Sequence, residues 1–403
     1  MKVLVAHNFY ISREPSGENS AVRRDVDLLR RHGHDVVEFT RSSDDITPGA
    51  LLAVNFGVRA RRPRKDLARV LDAGWVPDVV HVHNLFPLLT TSVLDEAVTR
   101  GIPTVQTIHN YRRTCAAGTH YRNERFCEEC TSAVLPWPAV AHGCYRGSRL
   151  QSIPVAVNQV IDRRLWAQLD AHVVLTRFVA DRMIALGADP ASVVVRPTST
   201  SDPGTPDEPG RTVLFIGRLS PEKGIRLLLD AWIRTAAARD VVLEVIGNGP
   251  DAEHVAGRAA ASGGSIVYHG ERPADFVSER IRACALVAVP SLWYEGLPTV
   301  VAEAFAHGRP VLACDTPNAR SFIADGGWLC APTVDGLGSA LDARLANRHE
   351  LLRAAADARE HYLRHMTPST SYARLLAAYE AARIRRIGRP TGNHNPRHSA
   401  GAR

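Results

Sequence analysis

Hydrophobic and polar positions along the chain fall into two alternating patterns. Val3 to His7, Asp35 to Thr40, Val79 to His83, Thr104 to His109 and His172 to Leu175 are apolar runs of strand length. Amphipathic stretches such as Ala21 to Arg31 and Val93 to Arg100 lie between most of them. Continuously apolar strands separated by helices predict a parallel sheet covered on both faces. The alternation pauses from Arg196 to Pro206, whose Pro, Ser, Thr and Gly content marks a linker. It then restarts with strand Thr212 to Gly217, helix Ile225 to Ala238, and strands Val241 to Ile246, Ile266 to His269, Leu286 to Pro290 and Val311 to Cys314. Two doubly wound α/β halves joined by a hinge place a ligand crevice between the carboxyl ends of their strands. A last helical pattern, Ser369 to Arg386, follows a Thr-Pro break and stands apart from the second half.

Length agrees with this division, because 403 residues exceed one ordinary core. With 45% hydrophobic and 23% charged residues, the composition is that of a soluble globular protein, neither disordered nor fibrous. No stretch approaches the ~20 uninterrupted apolar residues of a spanning helix. Met1 to His7 reads as a first strand and is too short an apolar run for a signal peptide, so a cytoplasmic protein is the expectation. The net charge of +7 is concentrated in Arg59-Ala60-Arg61-Arg62-Pro63-Arg64-Lys65 and in the segment from Arg383 to Arg403. These are solvated surface, or a peripheral contact with an anionic membrane or acceptor. Nucleic acid is disfavoured, since no aromatic residues are interleaved as stacking platforms.

Two segments carry the chemistry. Ser291-Leu292-Trp293-Tyr294-Glu295-Gly296-Leu297-Pro298 leads from a strand into a helix, with a second carboxylate, Glu303, inside that helix. Pro298 suits the first helical turn, and the free N–H groups there, at the positive end of the helix dipole, suit a diphosphate. Glu295 and Glu303 then accept hydrogen bonds from hydroxyl groups of a ribose and a sugar. The cations come from Gly217-Arg218 and Lys223-Gly224, again between a strand and a helix. Arg218 offers a planar fork to phosphate and Lys223 a mobile point charge. The bland alternatives are an Arg218–Glu222 ion pair and a buried salt bridge at Glu303. Gly17 opens the first helix and lets the backbone approach a ligand. His109, at the end of its strand, is a donor candidate, and His81 and His83 are weaker ones. The only Asp-x-Asp, Asp25 and Asp27, sits on a helix with its side chains pointing apart, so no catalytic metal is expected.

Four of the seven cysteines, Cys115, Cys127, Cys130 and Cys144, fall in one polar insertion after the His109 strand. Zinc, disulfides and free thiols are all open, with structural zinc favoured because a small loop-rich insert gains order from such a staple. A redox role is disfavoured, because the Cys127/Cys130 pair does not follow a strand and open a helix. Cys284, Cys314 and Cys330 read as core residues.

The set from Gly217-Arg218 to Lys223-Gly224 and from Glu295-Gly296-Leu297-Pro298 to Glu303 resembles the glycosyltransferase 4 family over roughly residues 1 to 385. His109-Asn110-Tyr111-Arg112, the cysteine insert and His142-Gly143-Cys144-Tyr145-Arg146 are similar to a bacterial subgroup carrying this insertion. The resemblance implies a GT-B fold, with an acceptor-side domain over 1–196 that includes the insertion at 110–148. A nucleotide-sugar-binding domain over 197–366 and a crossover helix over 367–386 complete it, while the basic tail over 387–403, which lacks periodicity, is expected to be disordered. It implies retaining, metal-independent transfer from a nucleotide-diphosphate sugar, with UDP the guess, to a glycan, lipid-linked or small-molecule acceptor. In that scheme Arg218 and Lys223 hold the diphosphate and Glu303 the ribose. Glu295, Gly296 and Leu297 line the donor sugar, His109 lies beside the transferred sugar, and Gly17 and Gly217 approach the donor. A GT-B nucleotide-sugar epimerase and a catalytically silent nucleotide-sugar-binding protein are the alternatives. Two departures from the family are Ser16-Gly17 for its usual Gly-Gly, and Asp315 to Arg320 for its usual Gly-rich turn with a Glu.

Overall fold

Short runs of Val, Leu, Ile and Ala alternate with amphipathic helices through the computed structural model, which describes residues 1–12, 16–46, 61–131, 133–235 and 240–388. The first-half strands are β1 (Lys2–Phe9), β2 (Asp35–Ser42), β3 (Val79–Val82), β4 (Thr104–Ile108), β5 (Tyr121–Arg122), β6 (Arg125–Phe126), β7 (Ala171–Val174) and β8 (Val193–Val195). The second half contributes β9 (Thr212–Ile216), β10 (Val242–Ile246), β11 (Ile266–Gly270), β12 (Leu286–Val289), β13 (Val311–Cys314) and β14 (Gly327–Cys330). Among the described residues two six-stranded sheets form, ordered β2-β1-β3-β4-β7-β8 and β11-β10-β9-β12-β13-β14. Every ladder in them is parallel, and only the small β5–β6 hairpin is antiparallel. Val3 to Ala6 and all of β3, β7, β12 and β13 are buried, as helices on both faces require.

Strand order reverses between β9 and β12, where Val213 pairs with Leu286 and Leu214 with Val287. Doubly wound sheets bind ligands outside the carboxyl ends of the strands at such a reversal. The first sheet reverses in the same way between β1 and β3.

The isolated final pattern forms the helix Pro368–Ile387, with Pro368 in its first turn and Thr367 capping it. It packs onto the first sheet: Leu375, Ala378, Tyr379 and Ala382 join Val3, Val5, Val79, Val105 and Val173 in one core. The linker is anchored as well. Arg196, 5% exposed, forms a two-pronged ion pair with Asp25 at 2.5 and 2.8 Å and donates to the Ser371 carbonyl at 3.1 Å. Asp25 is therefore buried and paired. Helix Ile225–Trp232 is shorter than expected, and residues 236 to 238 of that expectation lie outside the described residues. So do Arg59 and Ala60 of the basic cluster and the tail from residue 389, whereas Ile387 and Gly388 belong to the last helix and its cap. Among the described residues no helix is long and apolar enough to cross a membrane.

Candidate functional site

The β9 and β12 loops are tied together at their bases. Gly224 has φ +70°, and a Cβ there would lie 1.9 Å from the Pro290 carbonyl oxygen, so only glycine fits. Beside it the Leu292 N–H donates to the Glu222 carbonyl at 2.8 Å. This contact sets Lys223 against Glu295, Nζ to Oε1 at 2.7 Å, and Ser291 Oγ donates to the same oxygen at 2.6 Å. Lys223 also lies 5.3 Å from the Trp293 ring centroid. The Glu295 carbonyl accepts from Tyr111 Oη at 3.1 Å and from the Asn318 amide. Asn318 lies in the stretch where the chain departs from the family pattern, and it braces the Glu295 loop.

Arg218 is exposed at the rim and has no hydrogen bond or ion pair among the described residues. Glu222 instead accepts from Ser220 Oγ at 2.7 Å, so the Arg218–Glu222 alternative does not form. The helix Thr299–Ala306 starts one residue later than the sequence suggested, with Pro298 at its cap and no side chain capping its first N–H groups. Across the cleft begins the helix Gly17–Arg31. A Cβ on Gly17 would stand 3.1 Å from Thr299 Oγ1, so two helix N-termini face each other at this point. Their combined partial positive charge favours an anion.

Glu303, one turn into its helix, has no hydrogen bond or ion pair among the described residues. Burial raises its pKa, and Arg24 of the facing helix partly offsets this. Arg24 in turn is held below its usual pKa by burial, with Glu303 and Asp25 opposing, and its Nη2 is buried without a partner. A carboxylate and a guanidinium that face each other without bonding leave both free for a ligand between them. Arg24 escaped the sequence reading, although it lies seven residues, two helical turns, after Gly17 and hence on the same face.

Gly217 and Gly296 sit at close backbone approaches. A Cβ on Gly247 would meet the Gly217 oxygen at 1.9 Å, and one on Gly296 would lie 2.7 Å from the His109 oxygen. Leu297 is buried in a core cluster that also holds Val301 and Leu175 of the first half. His109 Nε2 meets His83 Nδ1 at 2.9 Å, and burial lowers the pKa of both rings. His81 is satisfied inside the core by Tyr379 Oη at 2.8 Å and Thr107 Oγ1 at 2.7 Å, and burial pulls it down to about 3. That makes it structural.

The insertion has a role that the sequence did not reveal. Tyr294 packs in tilted and edge-on contacts among Tyr111, His120, Phe126 and Phe178, and its Oη donates to Glu128 Oε1 at 2.9 Å. Arg182 donates to the same Glu128 oxygen at 2.6 Å. The insert thus clasps the residue beside Glu295 from the opposite side of the cleft. Its four thiols are half-buried and free, and burial followed by the neighbouring thiols raises the pKa of Cys144 and takes Cys130 up to about 11. Yet among the described residues no three His, Cys, Asp or Glu side chains converge as metal ligands. The insert also holds the Glu295 loop through the Tyr294 and Glu128 contacts.

Two doubly wound domains with an anion-ready cleft between them define the GT-B class. Residues 16–198 match the glycosyl transferase 4-like domain, and residues 210–347 match the glycosyl transferases group 1 domain. The chain belongs to this glycosyltransferase family. It is 33% identical over 162 residues to phosphatidyl-myo-inositol mannosyltransferase of Mycobacterium leprae, covering 38% of this chain and 43% of that one. It is 27% identical over 278 residues to alpha-D-kanosaminyltransferase of Streptomyces kanamyceticus, covering 66% of this chain and 65% of that one. The match thus spans less than two thirds of either curated relative. Anabaena HepE in complex with UDP shares the fold with a TM-score of 0.65 at 17% identity, over 94% of this chain and all of that one.

Proposed function

We propose that the chain transfers a sugar from a nucleoside-diphosphate sugar to an acceptor hydroxyl with retention of configuration, UDP being the favoured nucleotide. The observations that support this reading are the Lys223–Glu295 ion pair at 2.7 Å and the approach of Gly17 to Thr299 at the uncapped helix start, with Arg218 exposed in the β9 loop. The diphosphate lies there, and Lys223, with three donors, keeps one on Glu295 and turns others to phosphate. Glu303 takes the ribose hydroxyls beside Arg24, Glu295 and Gly296 face the sugar, and His109 lies on the sugar's acceptor side. The acceptor oxygen forms the new bond to the anomeric carbon as the bond to the diphosphate oxygen breaks. The bonding pair leaves with the nucleoside diphosphate, and the acceptor proton passes to a leaving phosphate oxygen on the same face. Arg218 and Lys223 stabilise the charge that develops there, usually the dominant contribution. UDP is favoured because HepE, which shares this fold, was solved with it.

An epimerase would need an acid/base pair around the sugar. His109 is tied to His83, and Glu18 accepts from Tyr10 at 3.0 Å and Asn110 at 3.3 Å, which leaves no such pair poised. The domains divide at residues 196 and 197 in this reading, and 367–386 returns to the first. Contact with an anionic bilayer fits exposed Leu135, Trp137 and Leu150 beside exposed Arg146 and Arg149. Flotation with anionic liposomes tests that contact, and failure to float at low salt removes it. For the reaction itself, release of nucleoside diphosphate from UDP-, GDP-, ADP- and dTDP-sugars is followed with and without candidate acceptors. Acceptor-dependent release abolished by Lys223→Met is expected, and release indifferent to that change would overturn the assignment.

A further inference from the structure

Behind His109 a cavity of roughly 120 Å³ opens between the ends of β3 and β4, the start of the insertion and the helix Arg149–Trp166. Its walls leave several hydrogen-bonding atoms buried and unmatched. Arg113 Nε, Arg112 Nε and Nη1, Gln159 Oε1 and His83 Nε2 have no partner among the described residues. Arg113 is the most unusual of them, because it is only 8% exposed and none of its hydrogen bonds goes to a carboxylate. Its Nη2 donates to the Gln106 amide oxygen, its Nη1 reaches only the Met183 sulfur at 3.8 Å, and its guanidinium lies 4.5 Å from the Trp166 ring centroid. Arg112 is held over Phe86 at 5.0 Å. The carboxylates that share these walls are already engaged: Asp162 accepts from Thr91 Oγ1 at 2.8 Å, and Glu18 accepts from Tyr10 and Asn110. Unmatched donors on two adjacent arginines therefore outnumber the acceptors left to them, and such groups are costly to bury without a ligand.

Resting on the reading of the chain as a sugar transferase, we propose that this cavity seats the acceptor and selects one carrying an oxyanion, a carboxylate or a phosphate, held by Arg112 and Arg113. Three features support the assignment. The cavity shares His109 and Glu18 with the cleft, so an anchored acceptor would present a neighbouring hydroxyl toward the donor sugar. Its volume is well below the several hundred Å³ of a drug-sized site, which suits one charged head with the remainder of the acceptor outside. Planar guanidinium forks match either anion with paired hydrogen bonds. Burial also pulls Arg113 down to about 9, an unfavourable state that a bound anion would relieve.

Calorimetric titration of the full chain with glucuronate, glucose 6-phosphate and glucose tests this, with UDP titrated in parallel. At least one anionic sugar should bind at least tenfold more tightly than glucose, and the tighter of the two names the group. Arg113→Met and Arg112→Gln should each weaken that anion at least tenfold and leave UDP affinity unchanged. Arg113→Met should also keep or raise the melting temperature, since it removes a buried charge that forms no ion pair among the described residues, whereas a purely structural arginine would lower it. Equal binding of glucose and both anions, or anion affinity untouched in both variants, would overturn the proposal. Anion binding without any UDP binding would leave the cavity assignment standing and count against the transferase reading instead.

Discussion

Glu303→Gln separates binding from folding at the centre of the site. The substitution keeps the side chain's shape and removes its charge. In the unliganded protein Glu303 is a largely buried carboxylate with no bonded partner among the described residues, and burial raises its pKa against the opposing pull of Arg24. The folded state consequently binds more protons than the unfolded one from the ordinary carboxylate range upward. Stability therefore falls as pH rises through that window, and the full cost is present at neutral pH. Gln removes this cost, so the variant should melt at or above the wild-type temperature at pH 7, with a flatter dependence on pH. Donor binding should move the opposite way. A hydrogen bond to a charged group is worth about 1.5–3 kcal/mol, so loss of the ribose contact should weaken nucleotide affinity by roughly tenfold to 150-fold. Differential scanning fluorimetry between pH 5 and 8 and calorimetric titration with UDP measure the two effects. A lower melting temperature with unchanged nucleotide affinity would refute the reasoning and make Glu303 a structural residue.

Lys223→Met should weaken nucleotide affinity by about tenfold or more, the value of one charge-assisted contact. It should also lower the melting temperature of the unliganded chain, because Glu295 loses the cation 2.7 Å away. Tyr294→Phe removes the hydroxyl that joins the Glu295 loop to Glu128 and should cost about 1–2 kcal/mol in denaturant unfolding, with no effect expected if the insert does not clasp the loop. His81, pulled down to about 3 by burial, should stay neutral in the folded protein at pH 5, and its ring NMR shifts report this. The unfolded chain binds that proton between about pH 6.5 and 3, so acidification to pH 5 should cost about 2 kcal/mol at this residue alone.

Much of the fold was legible because parallel strands buried on both faces are written as uninterrupted apolar runs, such as Val79 to Val82 and Leu286 to Val289. The β9 and β12 loops were legible for a related reason: glycine, proline and charged residues between a strand and a helix mark a strand-end site. β8 and β14 were missed, since Val193–Val195 is only half-buried and Gly327–Cys330 has a glycine and a tryptophan in four positions. Asp25 and Arg196 could not be paired from sequence, because each looks like a surface charge until the last helix covers both. Arg24, Arg113 and Gln159 acquire meaning only through what faces them across space. In the insertion the cysteine spacing is visible in the sequence, whereas the contacts of Glu128 and of the aromatic ring cluster around Tyr294 emerge only in the fold.

The central claim, a nucleoside diphosphate held between Arg218, Lys223 and Glu303, is tested most directly by calorimetric titration of UDP, GDP, ADP and dTDP into the wild type and Arg218→Ala. Arg218 is exposed and has no bonded partner among the described residues, so its removal should leave folding intact. The account predicts that one nucleotide, UDP foremost, binds the wild type and loses at least tenfold in affinity in the variant. Equal affinity for both proteins, or no binding of any of the four, would contradict it.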